Sequence, residues 1–258
     1  MLKRLLVLPL LAAGSFGITE HQSIGVGGLY SNSKATNANV RDSGIYLNFR
    51  GDDTSENHRT KVGAEFEYGY GTSKTSGSLF SHLDKYGSSG NFSYLDIFLR
   101  FGFNAATKEV PLFINLIGGI DGSINGRSKF DGFVFARSVA KFGLEVEGAL
   151  PLGQNLKLTY SAAYLYTKAG YRFGRLDGGA TPVVDTKKPG YDIIASVGFI
   201  TNITPKMDLY VKAKGKYRTF GESKGAPIDI NGNATPVANI SYPASKSVSA
   251  MVEVGVIF

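Results

Sequence analysis

The chain has no cysteine and no tryptophan. Without cysteine there is no disulfide scaffold, no thiolate zinc site, no cysteine nucleophile and no thiol to carry an N-terminal lipid. Charge is scarce, at 19% of residues, while aromatics reach 12%. That balance argues against a disordered chain. There is no run of 18 apolar residues, no heptad and no collagen period, which excludes a bundle of membrane helices and a coiled coil. Histidine occurs three times (His21, His58, His82), and no HxxxH spacing offers a metal pair. What is abundant is glycine (33), phenylalanine (17) and tyrosine (14), arranged in short alternating stretches. This composition points to an all-β protein.

Residues 1–17 read MLKRLLVLPLLAAGSFG. Lys3 and Arg4 precede an apolar run from Leu5 to Ala13, and small residues follow. This is the layout of a secretory signal peptide, and the run is too short to span a bilayer. Cleavage is expected after Ser15 or after Gly17. It would lower the net charge from +7 to +5 and leave 18–258 as one domain.

Ten period-two segments follow, each roughly 8–13 residues long, the length a tilted membrane strand needs. Leu95, Ile97, Leu99, Phe101 and Phe103 alternate with Asp96, Phe98, Arg100 and Gly102; the other nine behave alike. An even count lets an antiparallel sheet close on itself. The connections alternate too. Residues 31–42, 71–90, 121–136, 167–189 and 219–244 are long and polar, whereas those near 104–109, 151–155 and 201–206 are short. The expected fold is therefore an antiparallel transmembrane β-barrel of ten strands, or eight if two segments are hairpins above the membrane. Long loops would lie outside and short turns in the periplasm.

Aromatics on the apolar face fall at segment ends. Tyr30, Tyr70, Tyr164, Tyr166, Tyr191 and Tyr217 mark one rim, and Phe49, Phe101, Phe103, Phe199 and Phe258 the other. Two such girdles are what membrane interfaces select. The opposite face carries eight basic residues: Lys61, Arg100, Lys141, Lys157, Lys212, Lys214, Lys216 and Arg218. It also carries nine acidic ones: Glu65, Glu67, Asp96, Asp121, Glu145, Glu147, Asp192, Asp208 and Glu253. A small barrel has an interior just wide enough for side chains, so this near balance predicts a packed, salt-bridged lumen.

The last strand ends with Val252, Val254, Val256 and Phe258. This resembles the C-terminal signature of bacterial outer-membrane proteins. With the leader, the chain is similar to the small outer-membrane barrels of the OmpA transmembrane domain and the neisserial opacity proteins. A count of ten is more like the omptin proteases or the Opc adhesin. The resemblance covers residues 20–258 and is one of architecture. It implies that Val254, Val256 and Phe258 form a signal read by the barrel-assembly machinery, and that the protein sits in the outer membrane among lipid and lipopolysaccharide.

Catalytic, cofactor and metal residues are not expected. Ser81, His82 and Asp84 have the residue types of a triad, but neighbours in one loop do not make that geometry. Asp121, Ser123 and Asn125 lack the terminal glutamate of a calcium loop. The loops are the expected working surface, for a surface or host ligand. The fourth, with Lys168, Arg172, Arg175, Lys187 and Lys188 against Asp177 and Asp185, is a candidate for lipopolysaccharide phosphates. The fifth, near-neutral from Gly221 to Ala244, is a candidate lid or hairpin. No basic–aromatic cluster supports nucleic-acid binding. The leading expectation is a non-enzymatic protein of adhesion or membrane integrity. A narrow charge-lined pore and an outer-membrane hydrolase of lipid A or peptides are the alternatives.

Overall fold

The computed structural model describes residues 21–77, 88–126, 133–175, 183–228 and 238–258. The strands are β1 (His21–Ala35), β2 (Ala38–Thr54), β3 (Thr60–Gly77), β4 (Ser88–Asn104), β5 (Leu112–Gly126), β6 (Phe133–Pro151), β7 (Leu156–Arg175), β8 (Val184–Asp185), β9 (Gly190–Thr204), β10 (Met207–Phe220), β11 (Ala226–Ile228), β12 (Ala238–Ile240) and β13 (Ser245–Ile257). Ten of them close into an antiparallel barrel. Neighbours in the chain pair in turn from β1 to β7, then β9, β10 and β13, and β13 pairs back with β1. The count is ten, not eight.

Register fixes the shape. Lys157 on β7 faces Ile200 on β9, and the ladder runs on through Tyr210, Gly255, Gly25, Asn48, Glu67, Asp96, Asp121 and Val139. It returns to β7 at Ala169, twelve residues beyond its start. Ten strands with that stagger tilt by about 40° and enclose a backbone cylinder of radius about 10 Å.

The strands run longer than the alternating patterns, from 13 residues in β13 to 20 in β7. The first predicted long loop, 31–42, is mostly ladder. Pairing continues to Ala35 opposite Ala38 and leaves Thr36 and Asn37 as the turn. Backbone hydrogen bonds do not need apolar side chains, and here serines bridge the strands. Ser33 Oγ donates to Ser247 Oγ at 2.9 Å and Ser249 Oγ to Ser31 Oγ at 3.0 Å. At the opposite end the connections are 55–59, 105–111, 152–155 and 205–206. In the first, His58 adopts a left-handed conformation (φ 52°), and Asn57 Oδ1 accepts the Arg59 N–H at 3.1 Å.

The two faces of the wall differ as period two requires. Outward residues such as Ile45, Leu99, Phe142, Leu144, Val197 and Val252 are exposed and form an apolar band. Inward aromatics lie flat against glycines. A Cβ on Gly27 would strike the Tyr46 ring, and one on Gly69 the Tyr94 ring. The interior is not wholly polar. Phe98, Ile117 and Leu165 form a buried cluster against which Ile194 packs.

Candidate functional site

All seventeen predicted lumen charges lie on the inward parity of their strands, and most meet across the bore. In the half nearer the long loops, six groups form a closed ring of alternating sign. Lys141 reaches Asp96 at 2.6 Å and Asp121 at 2.8 Å. Arg218 reaches Asp121 at 2.5 Å and Asp192 at 2.6 Å. Lys216 completes the ring between Asp96 at 3.4 Å and Asp192 at 3.6 Å. Every member has two partners of opposite sign. Lys216 on β10 and Asp96 on β4 stand on diametrically opposed strands. Asp121 is thus a ring member on β5, not part of a calcium loop.

A second group fills the half toward the short turns. Arg100 is clamped between Glu65 at 2.5 Å and Glu145 at 2.8 Å. Lys214 pairs with Glu67, which also accepts the Tyr94 hydroxyl at 2.7 Å. Glu253 accepts from Lys212 at 3.1 Å, the Asn48 amide at 3.1 Å and the Tyr210 hydroxyl at 2.5 Å. Lys61 pairs with Glu147. Excess carboxylates are met by neutral donors, as Asn115 shows with Glu147 at 2.8 Å and Glu145 at 3.2 Å. Lysine and arginine also lie over rings, Lys141 at 4.3 Å from the Phe98 centroid.

Two of the seventeen stand apart. Lys157 and Asp208 occupy the first turns of their strands at the mouth, where Asp208 takes a hydrogen bond from Asn202 at 2.6 Å. Parity put them inside, but their height leaves them at the rim. Conversely, Arg50 belongs to the network and was missed. It bonds Asp52 and Glu147, each at 2.7 Å. Its place on the polar side of the second segment was the signal. The lumen tyrosines Tyr46, Tyr94 and Tyr210 carry no charge to mark them as network members in an alternating sequence.

The charged layers separate two cavities that share no lining residue. One, of about 110 Å³, lies toward the long loops among Tyr94, Arg137, Arg218 and Tyr242. The other, of about 510 Å³, opens toward the short turns and is lined by His21, His58, Lys61, Arg50, Lys157 and Asp208. His21 and His58 therefore sit at the short-turn end, and Ser81, His82 and Asp84 lie outside the described residues. Among the described residues no group of His, Asp and Glu could hold a metal ion.

At the long-loop mouth the described part of the fifth loop forms a hairpin, and Tyr242 beyond it reaches the barrel. β11 pairs with β12. Tyr242, buried beyond β12, stacks on Tyr171 at 4.4 Å, with the Phe220 ring edge-on to Tyr171 at 6.5 Å. Its backbone is tied to Ser223, and Ser223 bridges to Thr186. In the fourth loop, Lys168 pairs with Asp185 at 3.1 Å and Lys187 with Glu222 at 3.1 Å. Part of its basic excess is thereby satisfied within the protein. Arg172 is exposed on β7, the Arg175 side chain and Asp177 lie outside the described residues, and Lys188 is exposed.

The predicted girdles lie on the outward face. Tyr30, Tyr70, Tyr164 and Tyr166 are exposed there, and Tyr191 contacts Tyr164 at 5.8 Å and Tyr217 at 6.0 Å. Phe103, Phe199 and Phe258 stand near the short turns, with Phe101 a step higher. Phe49 lies higher still, within the apolar band, opposite Ile24 and against Phe66 at 6.3 Å. Val254 and Val256 pair with Val26 and Ile24 across the closing seam, and Phe258 exchanges backbone hydrogen bonds with Gln22 at 2.9 and 3.1 Å.

No family model matches the sequence, and no curated protein matches it. Solved structures do. The outer-membrane protease OmpT of Escherichia coli superposes with a TM-score of 0.62 at 10% identity, over 92% of this chain and 95% of that one. Looser likenesses include the translocator domain of the autotransporter NalP of Neisseria meningitidis (TM-score 0.43, 13% identity, 97% and 94% covered). Another is the attachment invasion locus protein Ail of Yersinia pestis (TM-score 0.33, 12% identity, 92% and 98% covered). At these identities the likeness is one of fold. The chain has the fold of the small bacterial outer-membrane β-barrels. In such barrels short turns face the periplasm and long loops the exterior.

Proposed function

We propose that the protein is a sealed, non-enzymatic outer-membrane barrel whose working surface is the extracellular one. It serves adhesion or membrane integrity, exported by the leader of residues 1–17 and assembled through Val254, Val256 and Phe258. The observation that carries this reading is the lumen. Ion pairs cross the bore on opposed strands and part the interior into two separate cavities. Opening a path would break several buried pairs at once, and each stranded charge costs several kcal/mol. The length of β7 supports the same reading. Its 20 residues at the barrel's tilt rise about 50 Å, twice the height of an apolar band of about 25 Å, so the strands stand well into the medium.

The test is conductance. The purified, folded full chain in planar bilayers is expected to give rare, small current steps. Large and stable steps would sink the sealed-lumen reading and favour the narrow pore. For the surface role, cells displaying the barrel with residues 222–243 replaced by a short Gly–Ser turn should attach to epithelial monolayers less well than cells displaying the intact chain. Equal attachment, together with unchanged resistance to detergent, would remove the surface assignment.

A further inference from the structure

Four cations outside the lumen stand apart from every pair described so far. Lys34 on β1, Arg41 on β2, Lys74 on β3 and Lys246 on β13 are exposed, on the same outward parity as Tyr30, Ile45, Tyr70 and Val248. Their strands are consecutive around the barrel. Register sets Lys34 directly opposite Lys246 and Arg41 directly opposite Lys74. Like charges facing each other across a ladder destabilise it. Here two such pairs adjoin.

The stagger of the barrel brings the four to one height. Arg41 sits two residues nearer the membrane than Asn39, the partner of Lys34. That step offsets the rise from strand to strand, and the four Cα positions fall within about 4 Å along the barrel axis. The row spans three interstrand gaps, about 15 Å. Each of Lys34 and Lys74 lies four residues above a girdle tyrosine, Tyr30 and Tyr70, which places the row about 10 Å above those rings. Below it lies the apolar band, and the row itself falls at the depth of lipid headgroups. Its outward neighbours are Asn32, Asn39, Ser43, Thr72, Ser76 and Thr219. Among the described residues none of the four cations has an acidic partner. This contrasts with Lys168, at a similar height on β7, which has Asp185.

We propose that Lys34, Arg41, Lys74 and Lys246 form a site for the phosphates of a phosphorylated glycolipid in the outer leaflet. A phosphate has several acceptor oxygens and takes charge-assisted hydrogen bonds from both arginine and lysine. The acyl chains would lie on the apolar wall beneath, beside Val26, Ile45 and Val252. The lipid thus relieves a repulsion that the protein leaves uncompensated. The site rests on the barrel standing in an outer membrane and not on the lumen being sealed, so a conducting barrel would leave it intact.

The test uses the folded full chain in a non-ionic detergent, titrated with bisphosphorylated lipid A and with the same lipid dephosphorylated, binding being read by native mass spectrometry. The wild type is expected to prefer the phosphorylated lipid by about tenfold or more, with a preference that shrinks as salt is raised. The K34Q/R41Q/K74Q/K246Q variant should keep its folded, heat-shiftable gel mobility and lose the preference. A K108Q/K206Q variant, altered at the periplasmic turns, should retain it. Equal binding of both lipids by the wild type, or an undiminished preference in the quadruple variant, overturns the proposal. Displacement of the lipid by equimolar inorganic phosphate, or by a sulfated oligosaccharide, would assign the row to a soluble anion and overturn the lipid assignment.

Discussion

Inside the barrel and above its apolar band the same residue types live under opposite rules. In the lumen, Lys141, Lys216 and Arg218 each hold two carboxylates, and Asp96, Asp121 and Asp192 each hold two cations. Above the band, Lys168 has one partner and is mostly exposed, while Lys34 and Lys246 face each other. The difference is one of solvent. A charge taken out of water must be compensated by its neighbours, whereas one left in water or among headgroups need not be. Charge balance therefore reports burial, and imbalance reports a surface that something else completes.

The comparison can be broken most severely at Arg100. Arg100→Leu removes the buried cation clamped between Glu65 and Glu145, so a loss of about 3–5 kcal/mol is expected. It would be measured as a lowered urea midpoint for the folded band on gels. A loss below about 1 kcal/mol would mean that water already solvates this pair. A subtler variant removes both signs. Lys214→Met alone should weaken the barrel by leaving Glu67 without a cation, and adding Glu67→Leu should recover most of the loss. Additive losses in the double variant would contradict the view that stranded charge, rather than the lost attraction, carries the cost. The smallest effect belongs outside. Lys168→Ala should change the same midpoint by less than about 1 kcal/mol, and a change as large as that of Arg100→Leu would erase the distinction.

Much of this was legible in the sequence because a strand reads out parity. Alternation separated Glu65 and Glu67 from Phe66 and Tyr68 and so gave the inward face, the outward face and the number of strands. Parity carries no height. Lys157 and Asp208 share the inward parity of Lys212, yet stand at the mouth because the stagger between strands decides level. Alternation of apolar residues also ends before the ladder does, and so Ser31 to Asp42 read as loop although they pair almost to the turn. Phe98 and Ile117 face a charged interior from one side of the bore, an arrangement that depends on which strands meet Leu165 across it. The closed ring of six charges was out of reach for the same reason, since it joins β4, β5, β6, β9 and β10.

The twelve-residue stagger has a consequence for assembly. Slipping one hairpin by two residues would preserve every inward and outward face, and hence every hydrophobic and girdle preference, while altering tilt and diameter. The wall alone is nearly blind to that error. The cross-bore pairs are not. Lys216 to Asp96 and Arg50 to Glu147 close at one diameter and part at any other. They act as a gauge fitted inside the tube, calibrating during insertion a dimension that the lipid-facing surface has no means to measure.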